Sequence, residues 1–166
     1  MLGRWFKSLE SDKAPRVWGL IFVLSQSLLL LILRPLGIGN FLRLQTAFSK
    51  DFYVHTFELW KEKSVFFLYP VHLYVDLLHP AAYACFLGSL LVRRCKPLFF
   101  LPFAAAIFDF LENALQFYFL SQTDWAALPS FLIALSGCAS IAKWTLAGIS
   151  IGAILFPLGR LEAHPR

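Results

Sequence analysis

Four long apolar runs dominate this chain, at residues 17–33, 69–92, 98–120 and 130–156. Each is long enough to cross a bilayer at about 20 residues per crossing. In hydrocarbon every backbone N–H and C=O must find its partner within the chain, so runs of this kind are predicted to be helices. Composition agrees: 58% of the 166 residues are hydrophobic and 15% charged, where a soluble domain carries about a quarter charged. The chain is therefore predicted to be one all-α domain, an integral membrane four-helix bundle with an amphipathic outer connection over residues 34–68. Pro97 and Pro129 stand at predicted helix starts, where the missing proline N–H is not needed.

The net charge of +5 does not point to nucleic acid, because the basic residues fall in short clusters between the apolar runs. That is the pattern of topology signals. The connection "RRCKP" carries Arg93, Arg94 and Lys96 and no acid, whereas "SQTDWAALPS" has no Lys or Arg. By the positive-inside rule the first faces the cytoplasm and the second faces out. Both termini then lie inside, which agrees with Arg4, Lys7, Lys13 and Arg16 before the first run and Arg160 and Arg166 at the end. The expected location is a bacterial inner membrane, spanned several times. The basic N-terminal segment reads as the approach to a retained first helix, with a signal peptide as the alternative.

Residues 34–68 fall on the outer side. Phe41, Leu44, Phe48, Phe52, Leu59 and Trp60 recur near helical spacing there, so one or two amphipathic helices on the interface are expected, with a packed loop as the alternative. Cys85, Cys95 and Cys138 are widely spaced, without a CxxC pair or a Cys/His ligand pattern. They are expected to be free thiols packed as small apolar residues.

The chemistry is concentrated in polar residues inside the apolar runs. In "FDFLENALQ", Asp109, Glu112, Asn113 and Gln116 stand at i, i+3, i+4 and i+7 and share one helix face. Tyr69, His72, Asp76, His79 and Tyr83 do the same in the second run, with Pro80 beside His79. A proline there frees a backbone carbonyl one turn back, for another polar group to satisfy. Ser136, Ser140, Lys143 and Ser150 share a face of the fourth run, while the first offers Ser25, Gln26 and Ser27. Ionisable groups in spanning helices cost several kcal/mol unless they find a partner or line a cavity, so their default reading is functional.

With a rise of about 1.5 Å per residue, Asp109 and Lys143 come near the midplane, Glu112 slightly outward, and Asp76 and His72 nearer the outer surface. The charges are thus expected to form a column opening outward. Lys143 is the one basic residue deep in these runs, so pairing with Asp109 or Glu112 neutralises both. The acids outnumber it, and two carboxylates close together do not both ionise easily in low dielectric. Asp76, Asp109, Glu112 and Lys143 are the candidates for acid/base chemistry. Asn113, His72, His79, Tyr83, Gln116 and Ser140 are candidates for ligand contact. His72, Asp76 and His79 lack the second-helix completion of a metal site, so no metal and no cofactor is expected. A structural hydrogen-bond network that fixes helix packing is the competing reading of the same stripes.

The runs "LQTAFSKDF", "YVDLLHPAAYACFL", "FDFLENALQ" and "IAKW" resemble a recurring pattern in small four-helix bacterial membrane proteins of unknown function. In layout the chain also resembles the EXPERA group, which includes the sigma-2 receptor and the emopamil-binding sterol isomerase. That resemblance implies an intramembrane pocket for a hydrophobic, often cationic, amphiphile, with Asp76 and Glu112 as candidate acids.

The expected function is binding of a membrane lipid or other hydrophobic small molecule in an intramembrane polar pocket, with acid/base chemistry on it as an open extension. A proton-coupled transporter or channel component and a structural subunit of a membrane complex remain as alternatives. No nucleic-acid partner is expected, and a homo-oligomer or a partner membrane subunit is compatible with the sequence.

Overall fold

The computed structural model describes residues 7–156. Arg4, Arg160 and Arg166, three of the basic residues that bear on orientation, lie outside the described residues. Among the described residues, seven helices with full bounds follow one another: α1 (Ala14–Leu36), α2 (Ile38–Gln45), α3 (Lys50–Glu62), α4 (Leu68–Asp76), α5 (His79–Arg94), α6 (Leu101–Ser121) and α7 (Ser130–Leu155). Two 3-10 turns, Lys96–Leu98 and Trp125–Ala127, complete the connections, and there is no strand among the described residues.

Four segments are long and apolar enough to span: Ala14–Leu36, Leu68–Arg94, Lys96–Ser121 and Ser130–Leu155. In α1 only 11% of the most apolar stretch is buried inside the protein. Val17, Leu20, Val23, Leu24 and Leu31 are all more than half exposed. Water would not tolerate such a surface, and lipid does. The chain is an integral membrane protein.

Two boundaries differ from the sequence expectation. The first span runs on through Pro35 to Leu36, because a proline in the last turn removes a single hydrogen bond and the helix ends there anyway. Gly37, at φ +81°, then makes the turn into α2, a backbone conformation that favours glycine. The buried Trp60 indole Nε1 donates to the carbonyl of Leu36 at 2.7 Å, satisfying a group the helix end leaves free. The second span is broken into α4 and α5 at Leu77 and Leu78. Pro80 has no N–H to offer the carbonyl of Asp76, and the ladder lapses there.

The two ends of the bundle carry different locks. At one end Arg93 Nη1 pairs with Asp12 at 3.0 Å and Lys96 Nζ with Glu10 at 3.2 Å, while Arg94 Nη1 donates to the carbonyl of Ile154 at 2.7 Å. The start of α1, the end of α5 and the end of α7 thus lie together at this basic end. At the other end α3 is tied to the α6–α7 connection. There Lys50 Nζ donates to the carbonyl of Ala126 at 2.7 Å, and the Lys61 ammonium sits 4.1 Å from the Trp125 ring centroid.

The connection forms helices, and they are packed into the bundle. Tyr53, Thr56, Phe57 and Trp60, at i, i+3, i+4 and i+7, are the buried face of α3. Tyr53, Phe57 and Trp60 join Tyr69, Phe119 and Ile133 in the largest apolar cluster among the described residues. Of the expected face, Phe41, Leu44 and Trp60 are buried as anticipated, Phe52 packs partly against the cluster, and Phe48 is 51% exposed. Aromatic alternatives on both sides of the helix leave the sequence ambiguous about which stripe turns inward.

Helix pairing leaves one side of the bundle open. α1 packs on α4 and α5, and α7 packs on α6 and α5, but α1 and α7 make no extensive contact with each other. The seam between them leads to the site.

Candidate functional site

The stripe of α6 is buried throughout: Asp109, Glu112, Asn113 and Gln116 are each at most 4% exposed. Helical geometry puts all four on one face, yet each answers to a different neighbour. Lys143, on α7, lies with Nζ 2.7 Å from Asp109 Oδ1 and 2.8 Å from Glu112 Oε2. The first contact is a hydrogen bond; Glu112 Oε2 has no hydrogen-bond partner despite its distance, so the second is an ionic contact at poor angle. One ammonium thus clasps two carboxylates a helical turn apart, the pairing anticipated from the sequence.

Asn113 Nδ2 donates to the backbone carbonyl of Asp76 at 3.4 Å. This is the carbonyl that Pro80 strands, so the side-chain donor expected to close it comes from α6. Gln116 is fully engaged elsewhere. Its Oε1 accepts from Tyr69 at 2.6 Å, and its Nε2 donates to Tyr53 at 2.8 Å and to Ser136 at 3.0 Å. Four helices meet at this one amide. Tyr53, outside the spans, is fully enclosed, and burial pushes its phenol up to about 12.

In front of the stripe lies a cavity of about 560 Å³, within the ~300–1,000 Å³ of small-molecule sites. Six of the expected site residues line it: His72, Asp76, His79, Tyr83, Asp109 and Lys143. The Tyr83 hydroxyl faces the Asp109 carboxylate. His79 Nδ1 is 2.9 Å from Ser25 Oγ, which also lies 3.0 Å from the carbonyl of Phe22, and the Phe22 ring stacks on His79.

Glu112, Asn113, Gln116 and Ser140 do not line the cavity; they stand behind it. Ser140 is wholly buried and its Oγ has no hydrogen-bond partner among the described residues. Two further polar residues line the cavity that the spacing argument missed as candidates, Gln26 and Gln45. A single amide in an apolar run or on a mixed helix carries no periodic signal. Only the packing of α1 against α4 and α5, and of α2 against α1 and α7, reveals them.

The sequence expected the charged column to open outward; the exposed side chains that border the cavity are on α1, α2 and α7. The end towards α3 is roofed by Tyr53, Phe57, Trp60 and Phe119, none more than 1% exposed. The opening is lateral. Leu30, Leu42, Trp144, Ile151 and Leu155 line the cavity and are also 44–63% exposed, along the α1–α7 seam. Sequence depth could not say which side of the bundle would be left unpacked.

Among the described residues no group of three His, Cys, Asp or Glu side chains is placed to hold a metal ion. Comparison with family models, with curated proteins and with solved structures finds no match for this chain.

Proposed function

We propose that this protein binds a lipid-like small molecule between its helices, taking it from the bilayer through the α1–α7 seam. One observation carries the reading: an apolar-walled cavity open towards lipid, with a buried Asp109–Lys143 pair and Asp76 on its inner wall. A site with apolar walls and a few convergent polar groups is what small-molecule recognition requires, and lipid-side access suits a ligand that partitions into membranes. By the positive-inside rule the end carrying Arg93, Arg94 and Lys96 faces the cytoplasm. The resemblance to small bacterial proteins favours a bacterial inner membrane.

The cluster also supplies the means for acid/base chemistry. Three carboxyl groups around one ammonium exceed its charge, and a buried cluster restores neutrality by holding protons. Asp76 and Asp109 border the cavity and Glu112 does not, so the first two are the groups that can exchange a proton with a bound ligand. The aromatic roof over the α3 end favours a one-sided pocket over a conduction path for protons.

The test is native mass spectrometry with lipid analysis on purified wild type and on Ala147→Trp, which fills the cavity from α7. A discrete amphiphile on the wild type, lost from a variant with unchanged melting, supports the reading. A wild type that carries only bulk lipid, with the same profile in the variant, overturns it.

A further inference from the structure

Two residues that line this cavity each carry a buried polar atom that takes no part in the acid–lysine cluster. Gln45 Oε1, on α2, and His72 Nδ1, on α4, are both without a hydrogen-bond partner among the described residues, and the two residues are 8% and 2% exposed. An acceptor left unmet in such a place costs about 1–3 kcal/mol, so its retention calls for an explanation. Both residues line the same cavity. The Phe41 ring packs edge-on to His72 with centroids 4.5 Å apart, and Gln45 follows Phe41 by one helical turn on the same cavity wall.

We infer that Gln45 and His72 form the head-group subsite of the cavity and read the hydroxyl of an elongated apolar alcohol. This rests on the pocket reading above and names its ligand class. A hydroxyl donates once and accepts as well; it gives its hydrogen to Gln45 Oε1 and accepts from His72 Nδ1–H in the tautomer carrying that proton. A carboxylate head would stand on the same wall as Asp76 and Asp109, against like charge. A protonated amine has no acceptor to offer His72 and would be drawn past the subsite to the carboxylates.

The apolar wall sets the direction of the chain. Beyond Lys143 the cavity is bordered by Leu87 and Leu90 of α5 and by Ala147, Ile151 and Leu155 of α7, with no polar side chain. The hydroxyl lies at the α2 end and the hydrocarbon runs along the α1–α7 seam towards the basic end. Asp109 and Lys143 then flank the middle of the ligand and not its head.

The experiment is photolabelling of the full chain in nanodiscs with four diazirine probes of one chain length: hexadecane, hexadecanol, hexadecylamine and hexadecanoic acid. Labelled positions are mapped by peptide sequencing. The expected result is preferential labelling of α1 and α7 by the alcohol, reduced about tenfold by Gln45→Leu and by His72→Phe, with hexadecane labelling unchanged. Gln45→Leu removes an unmet acceptor, so its melting temperature should hold and serves as the folding control. If the amine or the acid labels best, or if neither variant affects the alcohol, the subsite is wrong while hexadecane labelling of the cavity upholds the pocket. If no probe, hexadecane included, labels the cavity wall, the pocket reading fails and takes this inference with it.

Discussion

Lys143 Nζ lies 2.7 Å from Asp109 Oδ1 across the α6–α7 contact, with 7% and 5% of the two side chains exposed. Removing one partner of such a pair leaves a buried charge uncompensated, at a cost of about 3–5 kcal/mol. Lys143→Met should therefore destabilise the bundle by about that amount in a detergent unfolding titration. Because Glu112 shares the ammonium, adding Asp109→Asn should recover part of the loss, and adding Glu112→Gln most of the remainder. A double variant no more stable than Lys143→Met would mean that the pair does not operate as described.

The contact between Asn113 and the Asp76 carbonyl yields a second cycle. Asn113→Leu should cost about 1 kcal/mol, the lower part of the range, since the hydrogen bond is long. Pro80→Ala restores a backbone N–H that can reach the same carbonyl in the usual helical pattern. In the Pro80→Ala background the Asn113→Leu penalty should shrink. Equal penalties in both backgrounds would show that Pro80 and Asn113 are not energetically coupled.

Close approach at Gly137 is testable by a single methyl. A Cβ there would lie 2.9 Å from the backbone carbonyl of Ala47, whereas one at Gly148 meets nothing within 4 Å. Gly137→Ala should cost about 1–3 kcal/mol, because the neighbour is backbone and yields poorly, and Gly148→Ala should be neutral or mildly stabilising. Gly148 and Gly152 form a GxxxG pattern, so a marked loss from Gly148→Ala, with a change in oligomeric state, would instead place a second helix against that face.

Tyr53 sets an alkaline limit. Its phenol is pushed up from 10.0 to about 12, first by burial. A folded-state value above the unfolded one means the folded protein holds the proton more tightly. That contribution is fully present below pH 10 and is lost as pH rises through about 12, at about 1.4 kcal/mol per pH unit between the two. At neutral pH the wild type should be the more stable by about 1 kcal/mol over Tyr53→Phe, which deletes the acceptor for Gln116. On raising the pH above 10 the advantage should disappear and reverse in paired thermal melts. Parallel pH profiles for the two proteins would contradict the assignment.

Much of the architecture is legible in residue order. The four spans follow from apolar length, and the ends of the third and fourth agree with the observed helices to within a few residues. The α6 stripe and its pairing with Lys143 follow from helical periodicity and from the cost of burying charge, both local or pairwise arguments. The break between α4 and α5 was half visible: Pro80 marks the freed carbonyl, but the length of the apolar run concealed that the helix divides there.

What residue order alone determined is therefore the set of spans, their alternation, and which faces of α4–α5, α6 and α7 carry polar groups. Those properties depend on the period of a helix and on the intolerance of hydrocarbon for bare polar groups, and neither needs a neighbour. Tertiary packing decided the rest. It turned Tyr53 and Phe57 inward in place of Phe48, spent Gln116 on a network of tyrosines, left α1 and α7 without extensive contact, and brought Gln45 and His72 to one cavity. The physical reason is that a helix face says what it can bury but not against which partner. In a membrane, where lipid covers an unpacked apolar face as well as another helix does, only side-chain fit and polar contacts select the helix pairs and leave one seam open.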